Sequence, residues 1–155
     1  MLRFLMTASF VIAASAAIAQ GQATPAPPSH SAHGDQTLPA GFDTKPLLRT
    51  ATTRDGDPIR YPGTEKAEII SVIGTIQPGG RTPLHEHPVP TYVYVLEGEV
   101  ELQTEGQSPH TYKTGEAYIE ALNRKHQLFN KGSSPARVLV VFVGEAGKPT
   151  TVTPK

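Results

Sequence analysis

Cysteine is absent from the 155-residue chain. No disulfide can staple the fold and no thiolate can ligate a metal, so any bound ion must be held by nitrogen and oxygen donors. No basic stretch stands out either, and Lys+Arg equal Asp+Glu at 14 each. That balance gives no footing for nucleic-acid or anionic-membrane binding. No segment sustains a helical period. No apolar run reaches the about 20 residues that a membrane-spanning helix needs.

The longest apolar run, Phe4 to Ile18, follows Arg3 and leads into the small-x-small sequence Ala17-Ile18-Ala19. This pattern predicts a secretory signal peptide over 1–19, cut after Ala19, and a periplasmic or secreted protein with no membrane contact after cleavage. No cysteine follows the cut, which rules against a lipid anchor. No twin-arginine pair precedes it, which favours export unfolded and metal loading afterwards. Residues 20–40, rich in Pro, Ala, Ser, Gln and Gly, bury too little apolar surface to offset their ordering entropy and read as a flexible tether. His30 and His33 lie in it and read as solvated tether residues. One folded domain is predicted over 41–145, with a polar tail over 146–155.

Within that domain, short runs rich in Ile, Val and Tyr end at Gly or Pro signals. Leu47 to Thr53, Ala67 to Gln77, Thr91 to Leu96, Glu99 to Thr104, Thr111-Tyr112, Tyr118 to Glu120, His126 to Asn130 and Arg137 to Val143 read as strands. The last is a continuous apolar run suited to burial on both faces. Many short strands at turn spacing predict an all-β sandwich or barrel.

His85 and His87 stand in Gly80-Arg-Thr-Pro-Leu-His-Glu-His87. On an extended strand, side chains two apart share a face, and two imidazoles on one inward face make half of a metal site. Glu86, between them, points away. Pro83, Pro88 and Pro90 bracket the pair and cannot donate ladder hydrogen bonds, so an edge or bulged strand is expected. His126 is a third candidate, about forty residues on.

The run from Gly79 through His85-x-His87 to Glu97-Gly98 resembles the first motif of the cupin superfamily. Gly115-x10-His126-x3-Asn130 resembles the second, with Ala121 where Pro is usual and Asn123 where Gly is frequent. The resemblance implies a single-domain cupin, a double-stranded β-helix or jelly-roll-like barrel, with His85, His87 and His126 ligating one divalent transition metal (Fe, Mn, Ni, Cu or Zn) in its mouth. It also implies a homodimer, for which Leu47-Leu48 supplies a candidate strand.

The family's usual glutamate after the His pair is missing; Thr91 and Tyr92 stand there, and neither is a good ligand at neutral pH. Glu120 is the candidate to compensate. If its face, shared with Tyr118, is the lumen, it is a fourth ligand or a catalytic general base; if not, it is a solvated carboxylate. Tyr92 and Tyr94 read as packing residues, and Arg81 and Arg124 as turn residues with a possible second role in orienting an acidic substrate. Three functions fit these parts: a metal-dependent oxygenase of a small enolate- or catecholate-like substrate, a metal-dependent isomerase or lyase, and a non-catalytic binding module for a metal or small, anionic metabolite.

Overall fold

The computed structural model describes residues 45–154. The expected signal peptide, the tether with His30 and His33, and the expected domain start at 41 lie outside the described residues. Within these bounds there are seven strands and no helix: β1 (Ala67–Ile76), β2 (Thr91–Glu97), β3 (Glu99–Thr104), β4 (His110–Lys113), β5 (Ala117–Ile119), β6 (His126–Phe129) and β7 (Ala136–Glu145). They form two antiparallel sheets, ordered β1-β7-β2-β5 and β4-β3-β6.

Period-two alternation builds the core. Along β2, Thr91, Val93 and Val95 are fully buried, whereas Tyr92 and Tyr94 point outward and are half-buried. The buried set faces Phe142, Val140 and Val138 across the β2–β7 ladder and Tyr118 on β5. Val100, Leu102 and Leu128 close the core from the other sheet. At the β2–β3 turn Gly98 has φ +74°, and an added Cβ would stand 3.1 Å from the Pro135 carbonyl oxygen, so only glycine fits without strain.

Two expectations change. The apolar run of β7 is buried on one face: Val138 and Phe142 point inward, while Leu139, Val141 and Val143 are only half-buried. These three join Ile69 and Ile73 of β1 and Tyr92 and Tyr94 of β2 in an apolar outer face, which is why the sequence shows no alternation there. Leu47 to Thr53 is not a strand. Only Thr52 forms a bridge, to Pro58, because the Asp-Gly-Asp-Pro turn folds the chain back and Arg54 N–H bonds to the Ile119 carbonyl. Residues 146–154 follow β7 outside any of the seven strands. Val152 and Glu86 exchange two backbone hydrogen bonds, of 2.9 and 3.0 Å.

Candidate metal centre

The proline-bracketed segment 85–87 is extended but joins no regular ladder; isolated bridges tie His85 to His126, Glu86 to Val152 and His87 to Leu122. His85 and His126 exchange backbone hydrogen bonds of 2.8 and 3.1 Å, which sets them directly opposite each other. His87 follows two residues on, along the same face. The three imidazoles bring their ligand nitrogens within 4.8 Å of one another.

Each ring is oriented by a backbone carbonyl. Nδ1 lies 2.7 Å from the Pro83 oxygen in His85, 2.8 Å from that of Thr150 in His87, and 2.8 Å from that of Arg124 in His126. A carbonyl only accepts, so every Nδ1 carries a proton and donates it. In the neutral rings Nε2 is therefore a lone pair, the form in which imidazole ligates a metal.

Glu120 lies on the lumen face. Its N–H bonds to the Thr91 carbonyl at 2.9 Å, extending the alternation of β5 by one residue, and both Tyr118 and Glu120 are buried. Its Oε2 sits 3.0 Å from His87 Nε2 and 3.4 Å from His126 Nε2. A carboxylate oxygen facing two lone pairs is repulsive unless a proton or a cation lies between them. Neighbouring ligand atoms about 2.0–2.2 Å from an ion stand about 2.8–3.1 Å apart in octahedral and about 3.3–3.6 Å apart in tetrahedral array, so these two spacings fit a metal. Glu120 Oε2 and His126 Nε2 are both buried without a hydrogen-bond partner, as two ligand atoms would be.

The electrostatics follow the geometry. Burial pushes the Glu120 carboxyl up, but when His126 and His87 carry a proton on Nε2, hydrogen bonds from them, with their charges, outweigh it and hold the group at about 2. Burial depresses the His126 imidazole, yet Glu120, with the Arg124 carbonyl and the Asp55 charge, more than reverses this, so its pKa is raised. Burial lowers that of His85, assisted by the charges of His126 and His87 against the Pro83 bond. Burial, assisted by the Glu120 charge, pushes the Tyr118 phenol well above its ordinary value, so it stays protonated.

The other candidates lie apart from the three imidazoles and Glu120. Thr91 donates its hydroxyl to the Val89 carbonyl, and Tyr92 points out of the barrel, so neither replaces the missing glutamate. Arg124 is pinned by Asp55 and Asp57 at 3.6 and 3.3 Å. Arg81 lines the rim of a cavity of about 510 Å³ onto which His85, His87 and Glu120 face. Leu128, Val138, Val140 and Phe142 form its apolar wall, and Thr151 lies on its border.

Three contributors escaped the sequence reading. Asp55 is a buried carboxylate between Arg54 and Arg124, and its charge adds to the raised pKa of His126; its only sequence signal is turn chemistry. Asn130 was legible as a motif residue but not as a staple. Its Nδ2 donates to the Ile76 and Ser134 carbonyls, both at 2.8 Å, and its Oδ1 accepts from Gly132 N–H. Thr150, which orients His87, has no local signal at all.

Residues 72–142 match the family model described as Cupin domain. Germin-like protein subfamily 2 member 2 of Arabidopsis thaliana is 41% identical over 88 residues, covering 54% of this chain and 40% of that protein. An oxalate decarboxylase structure superposes with a TM-score of 0.50 at 22% identity, over 55% of this chain and 23% of that one. A DMSP lyase from Ruegeria pomeroyi DSS-3 superposes with a TM-score of 0.49 at 22% identity, over 55% and 42%. The chain thus spans less than half the length of each of these proteins. The likeness to the decarboxylase is one of fold.

Proposed function

We propose that this chain, which belongs to the cupin superfamily through residues 72–142, is an exported metal-dependent enzyme acting on a small substrate. In this reading His85, His87, His126 and Glu120 hold one divalent transition metal. The observation that carries it is the Glu120 oxygen set between the Nε2 atoms of His87 and His126, with all three Nδ1 protons already engaged elsewhere. Glu120 is then the fourth ligand, in place of the motif glutamate, because its Oε2 is the atom set between the two ligating nitrogens.

The finer reading is an oxygenase of an enolate- or catecholate-like substrate. The bound ion would supply Lewis acidity, lowering the proton affinity of a coordinated hydroxyl. Three neutral imidazoles and one carboxylate leave a divalent site net positive, which favours an anionic substrate. The apolar wall of Leu128, Val138, Val140 and Phe142 suits a planar ring. Arg81, engaged by no side-chain bond or ion pair among the described residues, is free to take a second anionic group.

The test is elemental analysis of the exported protein purified without added metal, followed by oxygen uptake with a catechol. Stoichiometric Fe, Mn, Ni or Cu with oxygen consumption supports the oxygenase. Stoichiometric Zn without uptake redirects the chemistry to an isomerase, a lyase or a binding module. No metal, or unchanged metal in His126→Ala, removes the ligand assignment. A mature N-terminus at Gln20 supports export; one at Met1 removes it.

The proposal includes a homodimer, supported by the outer face of the first sheet rather than by Leu47-Leu48. The central rows of that face, Ile73 with Leu139 and Tyr94, and Ser71 with Val141 and Tyr92, carry no charge. The charges at its opposite ends are already paired, Arg137 with Glu97 at 3.8 Å and Glu145 with Lys148 at 2.9 Å, so neither end opposes a two-fold copy with an unpaired charge.

A further inference from the structure

Two of the three imidazoles are oriented locally, by carbonyls two residues upstream: His85 by Pro83 and His126 by Arg124. His87 is different. Its Nδ1–H donates at 2.8 Å to the carbonyl of Thr150, a residue 63 positions away, and Thr151 Oγ1 lies 3.3 Å from the same nitrogen. The segment carrying these atoms is anchored on both sides. Val152 N–H donates to the Glu86 carbonyl at 2.9 Å, and Glu86 N–H donates back at 3.0 Å. Beyond β7 the chain turns back at Gly147, with φ +80°, and Thr150 lies so close to Gly144 that an added Cβ would meet its Cγ2 at 3.3 Å.

We infer that Thr150–Val152 is a positioning element of the metal centre. The Thr150 carbonyl holds His87 in its Nδ1–H tautomer, so that Nε2 stays a ligating lone pair beside Glu120. The Glu86–Val152 bridge fixes the backbone from which that ring projects, and Thr151 completes the cavity border. The segment lies outside residues 72–142 and belongs to none of the seven strands. Removing it leaves both sheets and the local anchors of His85 and His126 in place, but frees the His87 ring to rotate and to change tautomer. Loss of a ligand's orienting partner weakens metal affinity about 10–100-fold.

The inference rests on the metal reading above, and the experiment separates the two. Three proteins are compared: the full chain, a chain ending at Pro149, and Val152→Pro, which removes one anchoring N–H without shortening the chain. Zinc affinity is measured by competition with a chromophoric chelator, and the tautomer of each histidine by imidazole nitrogen shifts in metal-free protein. We expect about 10–100-fold weaker zinc binding after truncation, a smaller loss in Val152→Pro, and mixed tautomers at His87 alone. Tight binding in the full chain with equal affinity in both variants overturns the positioning role. So does an unchanged His87 tautomer. If the full chain binds no zinc, the metal reading fails, and the tautomer result still decides what the segment does. If truncation unfolds the chain, Val152→Pro decides alone.

Discussion

Oε2 of Glu120 and Nε2 of His87 stand 3.0 Å apart, with both side chains buried. Neither atom brings a proton to that contact when His87 is neutral and donating through Nδ1 to Thr150. The site is therefore most favourable when a positive charge occupies the space between carboxylate and imidazoles.

Glu120→Gln tests the point directly. The amide has nearly the same shape but no charge, so zinc affinity should fall at least about tenfold, no less than loss of an orienting partner would give. Competition titration against a chelator reads this out. Unchanged affinity would exclude Glu120 from the ligand set.

The same variant should affect metal-free stability with opposite signs at two pH values. Glu120 is lowered from 4.5 to about 2, so its contribution is fully present above 4.5 and lost as pH falls through about 2. The His126 pKa is raised from 6.5, so its contribution is present below 6.5 and lost as pH rises through the folded value. Between about 4.5 and 6.5 the carboxylate–imidazolium attraction is intact, and Glu120→Gln should lower the Tm. At pH 9 the carboxylate faces neutral lone pairs to which the amide can donate, and the variant should be the more stable by about 1 kcal/mol. Thermal unfolding in chelator at pH 5.5 and 9 checks this; a shift of one sign throughout would contradict it.

Asn130→Ala should destabilise the fold by about 3 kcal/mol, because it strands the buried Ile76 carbonyl and frees the turn 130–134. Chemical denaturation measures this. Zinc affinity under native conditions should be unchanged, since Asn130 contacts none of the histidines through its side chain. A parallel loss of affinity would make it part of the centre.

Ile73→Lys places a charge in the middle of the apolar outer face, at a side chain that is 56% exposed in the single chain. Light scattering should show a dimer for the parent and a monomer for the variant, with unchanged circular dichroism. A monomeric parent at micromolar concentration would end the dimer proposal.

The parts legible in the sequence are those with local causes. The His pair, the turns at Gly98 and Gly115 and most strand positions follow from alternation and backbone angles within a few residues. Asn123 keeps a positive φ, of 53°, at a position where the motif often has glycine, an angle that asparagine tolerates. Glu120 marks the boundary of this legibility. Alternation ties it to Tyr118, but whether that shared face is inner or outer depends on the pairing of β5 with β2, which no local pattern encodes. The strand expected at Leu47–Thr53 failed because its apolar residues find no ladder partner beyond the bridge at Thr52. Thr150 was invisible because its function resides in a main-chain carbonyl, which every residue type possesses.

His85 and His126 exchange both of their backbone hydrogen bonds. The Cα atoms of such a pair are held about 5.5 Å apart by the ladder itself, whatever side chains surround them. The spacing of the backbone from which these two imidazoles project is thus set by the ladder, not by the neighbouring side chains. Substitutions along the cavity wall can therefore reshape what reaches the three imidazoles while that spacing stays constant.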